Sequence, residues 1–175
     1  MSNLFYGFLL VFLNFNLTFD SIVINLLPDF LGYYLIMKGL KELTSESDHF
    51  MKMIPFAQGM MVYSTIRYIL DVVGISSRLG WINVGLSIIV TIFLLYIVYE
   101  IIQGILELER KMMTNLNGAT LLLEWKIIAV LDIINYLVMF LPLISVLFIF
   151  VVAVITILFL VRFHSTKQNY MSARG

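Results

Sequence analysis

Asp132 sits near the centre of an apolar stretch, residues 119–141, and Asn135 and Tyr136 follow it at the spacing of one helical turn. On a helix that spacing puts all three side chains on one face. A carboxylate at membrane depth costs about 2.5–3.5 kcal/mol on insertion scales, so it needs a partner or water. Two roles fit: a satisfied interhelical hydrogen bond, or an acid that carries a proton or a cation. Arg67 and Asp71 form a second constellation, again one turn apart, within residues 50–73. They can neutralise each other on one helix face. That suits an ion pair that lets the helix insert, or the wall of an outward-facing cavity that binds a ligand. Asp29 is assigned to the same outer side, with Asp20 and Arg78. The candidate ligand or ion pathway is therefore Asp132, Asn135, Tyr136, Arg67, Asp71 and Asp29.

The remaining polar residues suggest structural work. Glu100, Gln103 and Glu107 share a stripe at the cytoplasmic end of a long apolar run. They are expected to emerge into the interface and pair with Lys126 or Lys41. Asn14 and Asn16 read as interhelical hydrogen-bond partners. His49 and His164 stand apart from any metal-ligand spacing, and the chain has no cysteine. It also lacks H-E-x-x-H, G-x-S-x-G and a phosphate-cradling glycine loop. No catalytic residue, metal or cofactor is expected, and the chain does not read as an enzyme. A formal net charge of zero, from 11 basic and 11 acidic residues, gives no basis for a nucleic-acid partner.

The elements that must position these groups follow from hydropathy. Of 175 residues, 61% are hydrophobic and 13% charged, and mean hydropathy is +1.00. A soluble domain cannot hide so much apolar surface. A crossing helix needs about 20 apolar residues, and six segments approach that length: 4–19, 28–43, 50–73, 81–108, 119–141 and 143–163. The expected fold is an all-α, polytopic transmembrane helix bundle of six spans, residues 1–175 forming a single domain. The first run lacks a basic flank and a cleavage site, so it is expected to be retained. Residues 22–27 are apolar but too short to cross alone, which suits an interfacial or re-entrant piece. Pro28-Asp29 reads as a helix start: proline has no N–H to waste there, and the aspartate meets the positive end of the helix dipole. Trp81, Trp125 and several tyrosines near span ends suit an interfacial belt. With the N-terminus inside, Lys38, Lys41, Lys52, Arg110, Lys111, Lys126, Arg162, Lys167 and Arg174 fall on the cytoplasmic side, against Arg78 outside. That asymmetry predicts both termini in the cytoplasm. No two glycines stand in the G-x-x-x-G spacing, so that association signal is missing.

The segments Asn14-Phe15-Asn16 to Asp20, Ile24-Asn25-Leu26-Leu27-Pro28-Asp29-Phe30-Leu31-Gly32-Tyr33, Gly39-Leu40-Lys41-Glu42-Leu43 and Glu46-Ser47-Asp48-His49-Phe50 carry a resemblance. They resemble a signature of small multi-pass membrane proteins of Gram-positive bacteria. The resemblance covers roughly the first fifty residues and implies a helical fold in the bacterial cytoplasmic membrane, with no activity to carry over. In the Leu-Pro-Asp-Phe-x-Gly element, Gly32 allows close helix contact. Two functions are expected from these readings. One is binding or translocation of a small solute or ion through a polar interior. The other is an accessory or regulatory subunit of a larger membrane complex. The partners are then the lipid bilayer and, for the second reading, other membrane subunits or a second copy of the chain.

Overall fold

The computed structural model describes residues 1–12, 16–19, 22–25, 28–74, 81–138 and 140–174. Asn14, Asp20, Arg78 and residues 26–27 lie outside them. Six helices and a β-hairpin follow in the order α1 (Ser2–Phe12), β1 (Asn16–Phe19), β2 (Ile22–Asn25), α2 (Asp29–Glu42), α3 (Asp48–Val72), α4 (Trp81–Met112), α5 (Gly118–Val138) and α6 (Pro142–Arg174). The helical class expected from composition holds. The chain divides into two compact units, Met1–Ile97 and Val98–Gly175.

In the first unit α1 and α2 lie antiparallel in backbone contact, and glycines make this possible. A Cβ on Gly7 would lie 2.8 Å from the Gly32 carbonyl oxygen, and one on Gly39 would lie 2.6 Å from the Leu4 nitrogen. Glycine thus serves close approach here without the G-x-x-x-G spacing, because its partners are on the other helix. The first helix ends at Phe12 rather than at residue 19, and residues 16–19 pair antiparallel with 22–25, Phe19 opposite Ile22. The reason is local: Asn16 and Thr18 favour helix poorly, and the β-branched run Ile22-Val23-Ile24 suits a strand. Pro28 stands at the N-cap of α2 with Asp29 in its first turn, as the sequence predicts. Ser47 caps α3, its hydroxyl accepting from the His49 N–H at 3.3 Å. Helices α1 and α3 both pack on α2, burying Leu4, Phe8, Ile36, Leu40, Phe50 and Met53. The first half of α4 meets α3 through Phe56, whose ring centroid is 5.4 Å from that of Tyr96.

Side-chain hydrogen bonds organise the second unit. The turn between α4 and α5 has left-handed backbone at Met113 and Asn117, and Glu109 spans it. Its Oε1 accepts from the N–H groups of Leu116 at 2.6 Å and Gly118 at 3.1 Å, capping α5. Helix α6 grips the same turn: Thr166 donates to the Leu116 carbonyl at 2.6 Å and Asn169 to the Asn115 carbonyl at 3.0 Å. Helix α6 therefore continues well beyond residue 163, where the apolar run ends. Polar residues 164–174 contain neither glycine nor proline to stop it. Glu107 pairs with Lys111, one turn away on its own helix, at 2.8 Å.

Among the described residues, two helices are long and apolar enough to cross a membrane: α4, and α6 over Ile144–Arg174. At 32 and 31 residues, both exceed the roughly 20 needed for the hydrocarbon core. Helices α1 and α2, with 11 and 14 residues, fall short of that length. Helix α3 carries Lys52, Arg67 and Asp71, and α5 carries Glu124, Lys126 and Asp132. The outward faces are apolar even so: Phe150 is 68% exposed, Val161 64% and Leu137 74%.

Candidate functional site

The last turns of α3 and the first turns of α2 and α4 meet around Arg67. Its Nε lies 3.3 Å from the Asp71 carboxylate, the i,i+4 pair the sequence predicts. Its Nη1 donates to the Asn83 side-chain oxygen at 3.0 Å. Asp29, at the start of α2, reaches the same place because Phe30 packs edge-on against Tyr68, ring centroids 5.7 Å apart. Together Asp29, Tyr33, Tyr63, Ser64, Arg67 and Asp71 wall a cavity of about 60 Å³. That is room for a small ion or a few waters. Among the described residues, Asp29, Arg67 and Asp71 thus meet at one cavity, an arrangement that can bond a small polar or charged group.

Beside this cavity runs a larger apolar groove of about 420 Å³ between α3 and α4, lined by residues that include Pro55, Phe56, Gly59, Ile89 and Phe93. Tyr63 and Val90 line both spaces. Gly59 is what opens the groove: a Cβ placed there would meet nothing within 4 Å.

The other predicted residues lie in the second unit. Asp132, Asn135 and Tyr136 are all half-buried on α5. The Asn135 side-chain oxygen is buried without a hydrogen-bond partner among the described residues. So Asp29, Arg67 and Asp71 share one cavity and Asp132, Asn135 and Tyr136 share one helix face. Sequence reasoning missed Asn83, Tyr33 and Tyr63. Tyr33 was legible as the residue one turn after Asp29, but Asn83 and Tyr63 enter only through packing. It also missed the most buried acid of the second unit, Glu124, which is 8% exposed. Its Oε1 receives the Arg162 Nε–H at 3.1 Å, while its Oε2 has no hydrogen-bond partner among the described residues. Those residues contain no cluster of acids and histidines able to hold a metal ion.

Fold and site together define a helical chain with apolar outer faces and a charged cavity at the edge of an apolar groove. No protein family, curated protein or solved structure matches the chain.

Proposed function

We propose that the protein is a multi-pass component of the bacterial cytoplasmic membrane that binds a small cationic or polar solute at Asp29, Arg67 and Asp71. The observation that carries this reading is the cavity at which Asp29, Arg67 and Asp71 meet, set in a chain whose outer helical faces are apolar. Exposed apolar surface on that scale marks contact with lipid or another apolar partner. Charged groups at membrane depth are expensive and mark ligand pathways.

Six crossings with both termini inside agree with the excess of Lys and Arg at the ends assigned to the cytoplasm, the short first helices being met by local thinning of the bilayer or by packing against neighbours. Strand β2 runs along α3, which covers part of the hairpin backbone that lipid would otherwise meet. The positive residues stay on the cytoplasmic side in this arrangement. Asp132, with Asn135 and Tyr136, supplies the second polar station for solute movement.

The test is flux into proteoliposomes under imposed gradients of Na⁺, K⁺ or methylammonium, followed with a pH-sensitive dye. The expected result is a signal above empty liposomes for at least one cation, lost in Asp29→Asn and reduced at least tenfold in Asp132→Asn. No signal with any of the three would remove the transport reading. Unchanged flux in Asp132→Asn would remove the role of Asp132 alone.

A further inference from the structure

We propose that a cavity beside the last turns of α4 binds the phosphoethanolamine head of a membrane lipid. The inference rests on the membrane setting above and not on the Asp29–Arg67–Asp71 cavity, which lies in the other unit. Gln103, Leu106, Glu109 and Arg110 line a space of about 440 Å³, all four within the unit Val98–Gly175. Three of them carry hydrogen-bonding groups that the fold leaves unused. Glu109 spends its Oε1 on the Leu116 and Gly118 N–H groups, while its Oε2 has no hydrogen-bond partner among the described residues. Arg110 is exposed and turns back along its own helix, its Nε donating to the Leu106 carbonyl at 3.4 Å. Among the described residues neither its two Nη nitrogens nor the Gln103 amide has a partner. Glu109 and Arg110, neighbours in the chain, are not paired with each other.

Charge selects the head. A phosphate alone would meet the Glu109 carboxylate, and an amine alone would meet Arg110. A zwitterion whose anion and ammonium stand a few bonds apart satisfies both walls. The guanidinium fork can take two phosphate oxygens, and the ammonium has three N–H groups to share between Glu109 Oε2 and the Gln103 oxygen. A choline head has no N–H and cannot make those bonds. Depth selects the source. Helix α4 starts at Trp81, which is 72% exposed and suits a membrane interface. A hydrocarbon core of about 20 residues counted from there ends near Glu100. Gln103 and Leu106 lie roughly 5–9 Å farther along the axis, at head-group level, and Arg110 turns back toward them. Leu106 adds an apolar wall for the part of the lipid next to its head.

The experiment measures thermal unfolding of the full chain in phosphatidylcholine nanodiscs, alone or with part of the lipid replaced by phosphatidylethanolamine or phosphatidylglycerol of the same chains. A separate arm adds free phosphoethanolamine to the detergent-solubilised protein. The variants are Arg110→Gln, Gln103→Leu and Glu109→Gln, whose amide oxygen can still accept from Leu116 and Gly118. Phosphatidylethanolamine is expected to raise the midpoint of the wild type by about 4 °C or more over phosphatidylcholine, because a ligand bound only by the folded state stabilises it. Arg110→Gln and Glu109→Gln should each lose that shift, and Gln103→Leu should at least halve it. Should Glu109→Gln fail to fold, the other two variants decide. An equal shift from phosphatidylglycerol overturns the zwitterion assignment. A shift that survives in both Arg110→Gln and Gln103→Leu means that the lipid acts elsewhere. A shift from free phosphoethanolamine without one from the lipid overturns the lipid source, and no shift from either overturns the site. None of these outcomes alters the flux test, which concerns the first unit and Asp132.

Discussion

The two units of the chain solve helix packing by different means, and the difference bears on where a ligand can sit. In the first unit α1 and α2 close on each other through the backbone at Gly7, Gly32 and Gly39. In the second, helices are held by polar side chains: Glu109 across the α4–α5 turn, Thr166 and Asn169 from α6 onto that turn, and Glu124 to Arg162. Of these, Glu109 also lines an open space with Gln103, Leu106 and Arg110. Glycine contacts use no polar side chain. They leave Asp29, Arg67 and Asp71 of the first unit to surround a cavity.

The contact between α1 and α2 is most easily broken at its glycines. Gly32→Leu must push into Val11 and the Gly7 carbonyl, and overpacking of this kind costs about 3 kcal/mol or more. Unfolding in detergent followed by circular dichroism should show a correspondingly lower midpoint. A midpoint equal to wild type would mean that α1 is not held through these glycines. Next in size is Glu124→Ala, which removes a charged hydrogen bond to Arg162 at a cost of about 1.5–3 kcal/mol. Because Arg162 remains partly exposed, the double variant Glu124→Leu/Arg162→Leu should recover most of the loss. If the double variant is as unstable as the single one, the pair does more than hold α5 to α6. Smallest and opposite in sign is Gly59→Ala. The methyl group enters open space, and a helical glycine replaced by alanine gains about 0.5–1 kcal/mol. A rise in midpoint at Gly59 beside a fall at Gly32 would separate the glycine that opens the groove from those that close the helices. A fall at both positions would mean that the groove at Gly59 is filled.

The local chemistry was readable from the residues alone. Spacing paired Arg67 with Asp71, and both the i,i+4 contact and the helix start at Pro28-Asp29 are present. Hydropathy located all six helices, since burial or lipid contact needs an apolar face whatever lies opposite. Their ends were less legible. Helix α1 stops early where asparagine and threonine weaken it, and α6 runs on because nothing in residues 164–174 breaks a helix that has tertiary contacts to hold it. The partner of a charge was predictable only at one turn's distance.

What the sequence by itself determined is the helical class, the apolar character of the outer faces, and which residues carry charge where charge is costly. Only the tertiary structure decided that Asp29 joins Arg67 across α2 and α3, that Asn83 takes the second nitrogen of the guanidinium, and that Gly59 opens a groove while Gly32 closes a helix pair. The physical reason is that periodicity records which face of a helix is apolar or polar. It does not record which other helix meets that face, or at what height along the axis. A glycine reads the same whether backbone or empty space stands opposite.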